Sequence, residues 1–277
     1  MLASRSITCI RPTVANARRN VAWRTTRSPP AVKPRRVQPR ASTEDAIKMP
    51  IFDPSSQSSY PTTAVTHVAF ELDVNFDDKV ISGTATASVT VESESSTLTL
   101  DTRDLHIECV QMDGADLTFV LGEVHPVMGA PLVIELGTRM DAGTTFDVVI
   151  TYRTSPSSSA VQWLRPEQTA GGTHPYLFTQ CQAIHARSLF PCQDTPGAKM
   201  TYSAKVTAPD PLTALMSAIP LGEPADVGDG KRCFEFEQRV PIPPYLLALA
   251  VGNVEAVEIG PRSKVWSEPE MVQAGAF

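Results

Sequence analysis

The chain has 277 residues, 42% of them hydrophobic and 24 of them proline, and it lacks any run of eighteen apolar residues. No transmembrane helix is therefore expected, and the proline content disfavours long helices. Residues 1–43 hold ten Arg or Lys and no acidic residue, which leaves 14 basic and 30 acidic residues in 44–277, a net charge of −16. Nucleic-acid binding through this acidic body is not expected.

The leader, residues 1–48, is rich in Arg, Ser, Thr and Ala and has no acidic residue before Glu44. It lacks the continuous apolar core of a secretory signal, so it predicts a disordered organellar transit peptide with a processing region at 37–42. The prolines between 29 and 39 favour a plastid over a mitochondrion. The alternatives are a basic tail that binds an anionic surface, and a cytoplasmic protein.

Residues 49–266 show the short alternating segments of an all-β domain. Alternate residues from Val68 to Phe76 are apolar, as in a half-buried strand, and Gly83 is interpreted as a bulge in the next strand. The continuously apolar stretch 245–251 predicts a strand buried on both faces. The predicted strands are 66–76, 80–92, 98–101, 106–112, 117–120, 132–136, 144–152, 200–208, 214–218, 232–240 and 245–251.

The five cysteines are odd in number and lack Cys-x-x-Cys spacing; they are Cys9, Cys109, Cys181, Cys192 and Cys233. Neither a disulfide framework nor a zinc knuckle is indicated. We expect reduced thiols, with Cys181 and Cys192 close enough in sequence to approach each other.

A stretch of unusual composition runs from 176 to 196. Its first half alternates like a strand, with Gln180 and Gln182 on one face and Cys181 and Ala183 on the other. Uncharged carboxamides that both donate and accept hydrogen bonds suit the recognition of a peptide. The alternative is that this Gln-x-Gln is an ordinary solvated strand face. Its second half is a polar turn held between two prolines.

This stretch, together with Trp163-Leu164 before it, 241–246 after it and Val265-Trp266-Ser267-Glu268 at the end, closely resembles the aminopeptidase N family of zinc metallopeptidases, in its leukotriene A4 hydrolase branch. The resemblance runs from about 67 to about 270 and covers the N-terminal domain only. It implies a saddle-like arrangement of open, mixed β-sheets in 49–266.

The resemblance implies zinc in the full-length protein, held by His-Glu-x-x-His and a further Glu. This chain has five histidines, none followed by Glu, and it lacks the family's Gly-Met-Glu-Asn loop. We therefore expect no metal ligand, no catalytic residue and no cofactor in this chain. Ser267 and Glu270 have capping-box spacing, so residues 267–277 are interpreted as the start of a truncated helix leading to a missing C-terminal catalytic domain.

The resemblance also implies a site. The family's Gln-Cys-Gln edge contacts peptide in the catalytic cleft, so Gln180, Cys181, Gln182 and Ala183 are the expected substrate-binding residues. Recognition of the substrate ammonium would be left to carboxylates of the missing domain.

Neighbouring residues are assigned structural roles. His185 is expected to be a packed strand histidine, and Cys192 a small apolar filler. Arg187 and Asp194 are expected to form an ion pair that fixes the turn, and a surface pair of this kind would contribute only about 0–1 kcal/mol. Tyr245 is expected to be structural, and two tryptophans are expected to be packing anchors, Trp163 and Trp266.

The sequence leaves two other functions open. A non-catalytic β-domain that binds peptides or a protein partner is the main alternative. A β-sandwich adhesion module is a third, although the leader and the lack of disulfides argue against it. Epoxide hydrolysis, known from the resembling branch, is a weaker implication than removal of N-terminal residues from peptides.

Overall fold

The structure is a computed structural model that describes residues 53–276. Within that range the chain forms eighteen strands, three single 3-10 turns and one short helix. The first nine strands are β1 (Thr63–Asn75), β2 (Val80–Val91), β3 (Ser95–Thr102), β4 (His106–Met112), β5 (Ala115–Asp116), β6 (Phe119–Leu121), β7 (Ala130–Met140), β8 (Thr145–Arg153) and β9 (Val161–Leu164). The others are β10 (Tyr176–Thr179), β11 (Met200–Pro209), β12 (Thr213–Met216), β13 (Ile219–Pro220), β14 (Ala225–Gly228), β15 (Lys231–Ile242), β16 (Leu249–Gly252), β17 (Glu255–Gly260) and β18 (Ser263–Ser267).

The main layer is a nine-stranded sheet in the order β13-β15-β11-β1-β2-β8-β4-β5, with β14 also paired to β15. It is a mixed sheet, because β1 and β11 run parallel whereas the other pairs are antiparallel. Alternate side chains of β1, from Val68 to Val74, are buried on one face. The half-buried strand predicted at 66–76 is therefore confirmed.

Three smaller sheets accompany it: β12-β16-β10-β9, β3-β7-β6 and the hairpin β17-β18. Apolar side chains from the nine-stranded, four-stranded and three-stranded sheets share one core. At its centre Phe70 of β1 meets the ring of Phe190 edge-on, with centroids 5.1 Å apart, and it also contacts Tyr202 of β11. The predicted all-β class with open, mixed sheets is confirmed.

Gly83 does not form a bulge, which corrects the interpretation of this residue. The β1–β2 register runs through Leu72↔Gly83 without a shift, and the one irregularity of that pair lies between Val65 and His67. Gly83 has φ +148°, and a Cβ atom there would lie 1.8 Å from the carbonyl oxygen of Glu71. The residue permits a close approach of the two backbones.

The predicted strand at 245–251 is also corrected. Pro244–Leu246 forms a 3-10 turn, and β16 begins only at Leu249. The prolines at 243 and 244 fix φ and start a turn, and the Leu246 side chain is 48% exposed. Other predicted strands shift by a few residues: 98–101 is Ser95–Thr102, 117–120 is Phe119–Leu121, and 214–218 is Thr213–Met216.

The capping box predicted at Ser267 is wrong. The helix α1 (Val272–Gly275) begins later, with Met271 at the N-cap. The neighbouring Glu268, which was not part of the predicted box, accepts through its carboxylate a hydrogen bond from the backbone N–H of Ala170, at 3.0 Å. No helix of residues 53–276 is long and apolar enough to cross a membrane. The leader, 1–48, lies outside the described residues.

Candidate functional site

The four candidate residues lie in a turn rather than in a strand. β10 ends at Thr179, and residues 180–185, here called the glutamine turn, lead into the 3-10 turn Ala186–Ser188. Gln180, Gln182 and Ala183 are exposed, whereas Cys181 is buried. The peptide bond between Gln182 and Ala183 is cis. The strand alternation predicted beyond Thr179 is therefore wrong, although both glutamines do reach solvent.

Backbone hydrogen bonds hold the two ends of the glutamine turn. The N–H of Gln180 donates to the carbonyl of Ala160 at 2.8 Å, and the N–H of His185 donates to the carbonyl of Cys181 at 2.8 Å. The second bond closes the chain on itself four residues apart, which no strand would allow. The glutamine side chains are thus projected from a fixed backbone.

The side chain of Cys181 is buried in the core and anchors the glutamine turn there. Burial raises the pKa of its thiol to about 12, with a smaller contribution from the nearby Asp194 charge. Burial likewise raises the pKa of Cys192 well above its usual value. Both cysteines therefore act as small apolar side chains, as expected for Cys192. The described cysteines are free thiols.

This burial predicts a labelling pattern. At pH 8 a thiol with a pKa near 12 is ionised in only about one molecule in ten thousand. We expect iodoacetamide to modify half-buried Cys233 in the native chain while Cys181 and Cys192 stay unmodified, as read by peptide mass spectrometry. In denaturant all three should react. Equal rates for Cys181 and Cys233 in the native protein would show that the turn is not anchored as described.

His185 is fixed by a chain of hydroxyls. Ser159 Oγ lies 2.8 Å from His185 Nδ1 and 3.0 Å from Ser188 Oγ, and Ser188 Oγ lies 2.8 Å from the His185 carbonyl. Each hydroxyl has one proton. Ser188 donates to the carbonyl and Ser159 donates to Ser188, so we assign the third proton to Nδ1 of His185. The predicted packing role fits this arrangement, but His185 lies in the turn and not in a strand.

Beneath the turn lies a charge cluster buried from solvent. The Arg187 and Asp194 side chains are 0% and 1% exposed, and Arg187 Nε donates to Asp194 Oδ2 at 2.9 Å. Asp101 Oδ1 lies 3.6 Å from Arg187 Nη1. Burial raises the pKa of Asp194 despite the opposing effect of Arg187. The expected ion pair between Arg187 and Asp194 is present, and it is buried rather than at the surface.

The cluster joins distant segments of the chain. Arg187 Nη2 donates to the Ser55 carbonyl at 2.8 Å, and Nη1 donates to the Met128 carbonyl at 3.2 Å. Asp101 accepts from Ser56 Oγ at 2.6 Å and from the N–H of Asp194 at 3.0 Å. Sequence reasoning missed Asp101, since a single aspartate at a strand end carries no local signal of burial.

The turn between the two prolines is structural. Gln193 is buried, and its carboxamide donates to the Thr63 carbonyl at 2.6 Å and accepts from the N–H of Val65 at 3.0 Å. It thereby pairs with β1 as a neighbouring backbone would.

Of the expected packing anchors, Trp163 meets Phe76 edge-on at 5.4 Å, whereas Trp266 is 44% exposed. Tyr245 packs against the core.

The described residues do not fit a zinc site. Within 53–276, no three His, Cys, Asp or Glu side chains lie close enough to hold a metal ion. Three histidines are engaged with neighbours: His67 Nδ1 lies 2.8 Å from Thr201 Oγ1, His125 Nδ1 accepts from the N–H of Met128, and His185 contacts Ser159.

A groove of about 1080 Å³ lies elsewhere, between the ends of β1, β2, β4 and β8. Its lining includes Asp73, Asp104 and Arg153 but none of the residues 180–183. The glutamine turn therefore does not belong to this groove.

The fold and the site define an all-β domain that presents a polar turn from a rigid base of buried charges. Residues 64–246 match the Peptidase M1 N-terminal domain, and the chain belongs to that family. The family suggested by the sequence motifs is thereby confirmed.

The chain is also similar in sequence to two named proteins. The chain is 44% identical over 227 residues to leukotriene A-4 hydrolase of Xenopus laevis, covering 81% of this chain and 37% of that protein. It is 44% identical over 222 residues to leucine aminopeptidase 2 of Yarrowia lipolytica, covering 80% of this chain and 33% of that protein. The chain thus spans about a third of the length of these relatives.

Solved structures show the same fold. Yeast LTA4 hydrolase in complex with bestatin matches with a TM-score of 0.75 and 36% identity, over 84% of this chain and 36% of the yeast chain. An M1 zinc metallopeptidase from Deinococcus radiodurans matches with a TM-score of 0.59 and 23% identity, over 74% of this chain and 46% of that one. The second likeness concerns the fold alone.

Proposed function

We propose that this chain supplies the substrate-lining β-domain of a longer, leukotriene A4 hydrolase-like zinc aminopeptidase. That protein would remove N-terminal residues from peptides, with its zinc held by a catalytic domain outside the present sequence. The proposal is supported by family membership, by the share of its relatives that the chain spans, and by the exposed glutamines. A plastid or mitochondrial location, suggested by the leader, belongs to the same proposal.

The observation that carries the proposal is the pairing of exposed carboxamides with a rigid support. Gln180 and Gln182 reach solvent on either side of buried Cys181, and the backbone around them is pinned to Ala160 and His185. A carboxamide oxygen accepts from a substrate ammonium or N–H, and its NH₂ donates to a substrate carbonyl. Because the backbone of the glutamine turn is already fixed, it loses little conformational entropy when a peptide binds.

A hybrid enzyme tests this role. Residues 53–276 would replace the matching segment of Xenopus laevis leukotriene A-4 hydrolase, and kcat/KM would be measured with amino-acid p-nitroanilides and tripeptides. Gln182→Ala is expected to reduce kcat/KM by about 5- to 150-fold, the effect of losing about 1–3 kcal/mol from one hydrogen-bonding partner.

The matched control is Gln111→Ala, on β4 of the nine-stranded sheet, where the carboxamide donates to Asp116 at 2.8 Å. It should leave kcat/KM unchanged. A Gln182→Ala hybrid with unaltered kinetics on both substrates would remove Gln182 from the site.

The isolated chain provides the complementary test. Purified residues 44–277 are expected to bind no stoichiometric zinc and to hydrolyse no peptide, as measured by metal analysis and aminopeptidase assay. One zinc per chain with turnover would contradict the proposed division of labour. Peptide binding by this chain without any hydrolysis in the hybrid would instead favour the non-catalytic β-domain.

A further inference from the structure

Two adjacent residues hold the two ends of the glutamine turn. The Ala160 carbonyl accepts a hydrogen bond from the N–H of Gln180 at 2.8 Å. At the other end of the turn, Ser159 Oγ lies 2.8 Å from Nδ1 of His185. Both residues directly precede β9, which pairs with β10. A single backbone segment therefore sets the positions of the first and last residues of the turn.

Ser188 determines the direction of the hydrogen bonds around His185. Its Oγ lies 2.8 Å from the His185 carbonyl oxygen, which can only accept, so the Ser188 proton is donated there. The same Oγ lies 3.1 Å from the backbone nitrogen of Ala160 and 3.0 Å from Ser159 Oγ. It accepts from both, because it has no second proton. Ser159 thus donates its own proton to Ser188 and can only accept from the His185 ring.

This arrangement selects the form of the His185 ring that carries its proton on Nδ1. On a neutral ring the other nitrogen, Nε2, then has a free lone pair and acts as an acceptor. Within residues 53–276, Nε2 has no hydrogen-bond partner, and it is not one of the buried polar atoms that lack a partner, so it is open to solvent. The ring therefore offers one unused acceptor, three residues along the chain from Gln182.

We propose that His185 is a further substrate-binding residue, whose Nε2 accepts a hydrogen bond from a peptide N–H of the substrate. Ser159 is its positioning residue, because the hydrogen bond to Nδ1 fixes both the orientation of the ring and the nitrogen that carries the proton. This inference rests on the proposed function and adds a contact to the same site.

The chemistry of this acceptor indicates which substrate group it binds. An ammonium is held most strongly by a carboxylate, whereas a neutral imidazole nitrogen suits an uncharged N–H. The N–H of the cleaved bond becomes a poorer donor as the amide turns into an amine. His185 is therefore expected to bind the N–H of the next peptide bond, which a tripeptide has and an amino-acid p-nitroanilide lacks.

The hybrid enzyme described above tests the contact through its substrate dependence. His185→Asn keeps an N–H near the position of Nδ1 for Ser159 but has no group in place of Nε2. It is expected to lower kcat/KM for tripeptides by about 3- to 10-fold, through KM rather than kcat, and to leave p-nitroanilides unchanged. His106→Asn, at an exposed residue of β4, is the matched control and should change neither. Equal losses on both substrates, or no loss on tripeptides, would overturn the inference.

Variants of Ser159 separate positioning from folding. Ser159→Ala should cause the same selective loss on tripeptides, and Ser159→Thr, which keeps the hydroxyl, should restore their kcat/KM. Ser157→Ala, at an exposed serine of the preceding loop, is the matched control. A variant that only loosened the turn would also displace Gln182 and would lower kcat/KM for both substrates together. That result, or native kinetics in Ser159→Ala, would contradict the positioning role.

The protonation of the ring nitrogens can be measured in the full chain without the hybrid. At pH 8 an ordinary histidine is neutral, and the nitrogen-15 shifts of His185 should then show the proton on Nδ1. In Ser159→Ala that form should no longer dominate, because the hydrogen bond that selects it is lost. A proton on Nε2 in the native chain would overturn the inference even if the hybrid is active.

The outcomes for His185 and for the proposed function are distinguishable. A hybrid in which Gln182→Ala has no effect, while His185→Asn still acts on tripeptides alone, would contradict only the role of Gln182. If the hybrid with the native segment is inactive, the proposed function fails, and a tripeptide added in excess to the full chain decides the case of His185. A shift of the Nε2 signal would support the contact, and an unchanged signal would refute it.

Discussion

Replacing Arg187 with methionine is expected to lower the free energy of unfolding by about 3–5 kcal/mol, the cost of leaving a buried charge without its partner. The guanidinium is fully buried and contacts Asp194 and Asp101. It also donates to the Ser55 and Met128 carbonyls. Methionine fills similar volume but leaves two buried carboxylates uncompensated. Urea denaturation followed by tryptophan fluorescence measures the change.

Arg153→Met is the matched control. Arg153 lies 3.8 Å from Glu108, and both side chains are about half exposed. Pairs of this kind contribute about 0–1 kcal/mol, so the control should shift the midpoint little. Adding Asp194→Asn to Arg187→Met should recover part of the lost stability, because one uncompensated charge is removed. Equal midpoints for Arg187→Met and Arg153→Met would contradict the buried cluster.

Gly83→Ala is expected to lower the free energy of unfolding by about 3–5 kcal/mol, which is at the high end for a single substitution. The new Cβ would lie 1.8 Å from the Glu71 carbonyl oxygen, which belongs to the backbone and cannot rotate away. The φ of +148° adds strain for any side chain. Relief would require β1 and β2 to separate at the centre of the main sheet. Thermal unfolding by circular dichroism measures the loss.

The control for this glycine is Gly137→Ala. Gly137 has φ +72° but no atom within 4 Å of its ideal Cβ position. It should therefore show only the cost of the left-handed backbone, about 1–2 kcal/mol. A Gly83→Ala protein as stable as Gly137→Ala would mean that the close approach of the two strands is not present in solution.

The strand pattern of this domain is readable from sequence because it is local. Alternation along β1 and β15 follows from the two-residue period of a strand with one buried face. The apolar run at 245–251 was wrongly predicted as one strand, because hydrophobicity alone does not distinguish a buried strand from a turn followed by a short strand. Gly83 was wrongly interpreted as a bulge, because glycine is favoured both at bulges and where two backbones approach closely.

The sequence by itself determined the all-β class, the family and the two glutamines as the exposed polar residues of the central stretch. Only the tertiary structure decided that residues 180–185 form a turn, because Cys181 is buried in the core and His185 is held by Ser159 of a different segment. It alone decided that Arg187 and Asp194 are buried with Asp101. Burial of a charge depends on partners supplied by distant segments, here Ser55 and Asp101, and no local pattern encodes their meeting.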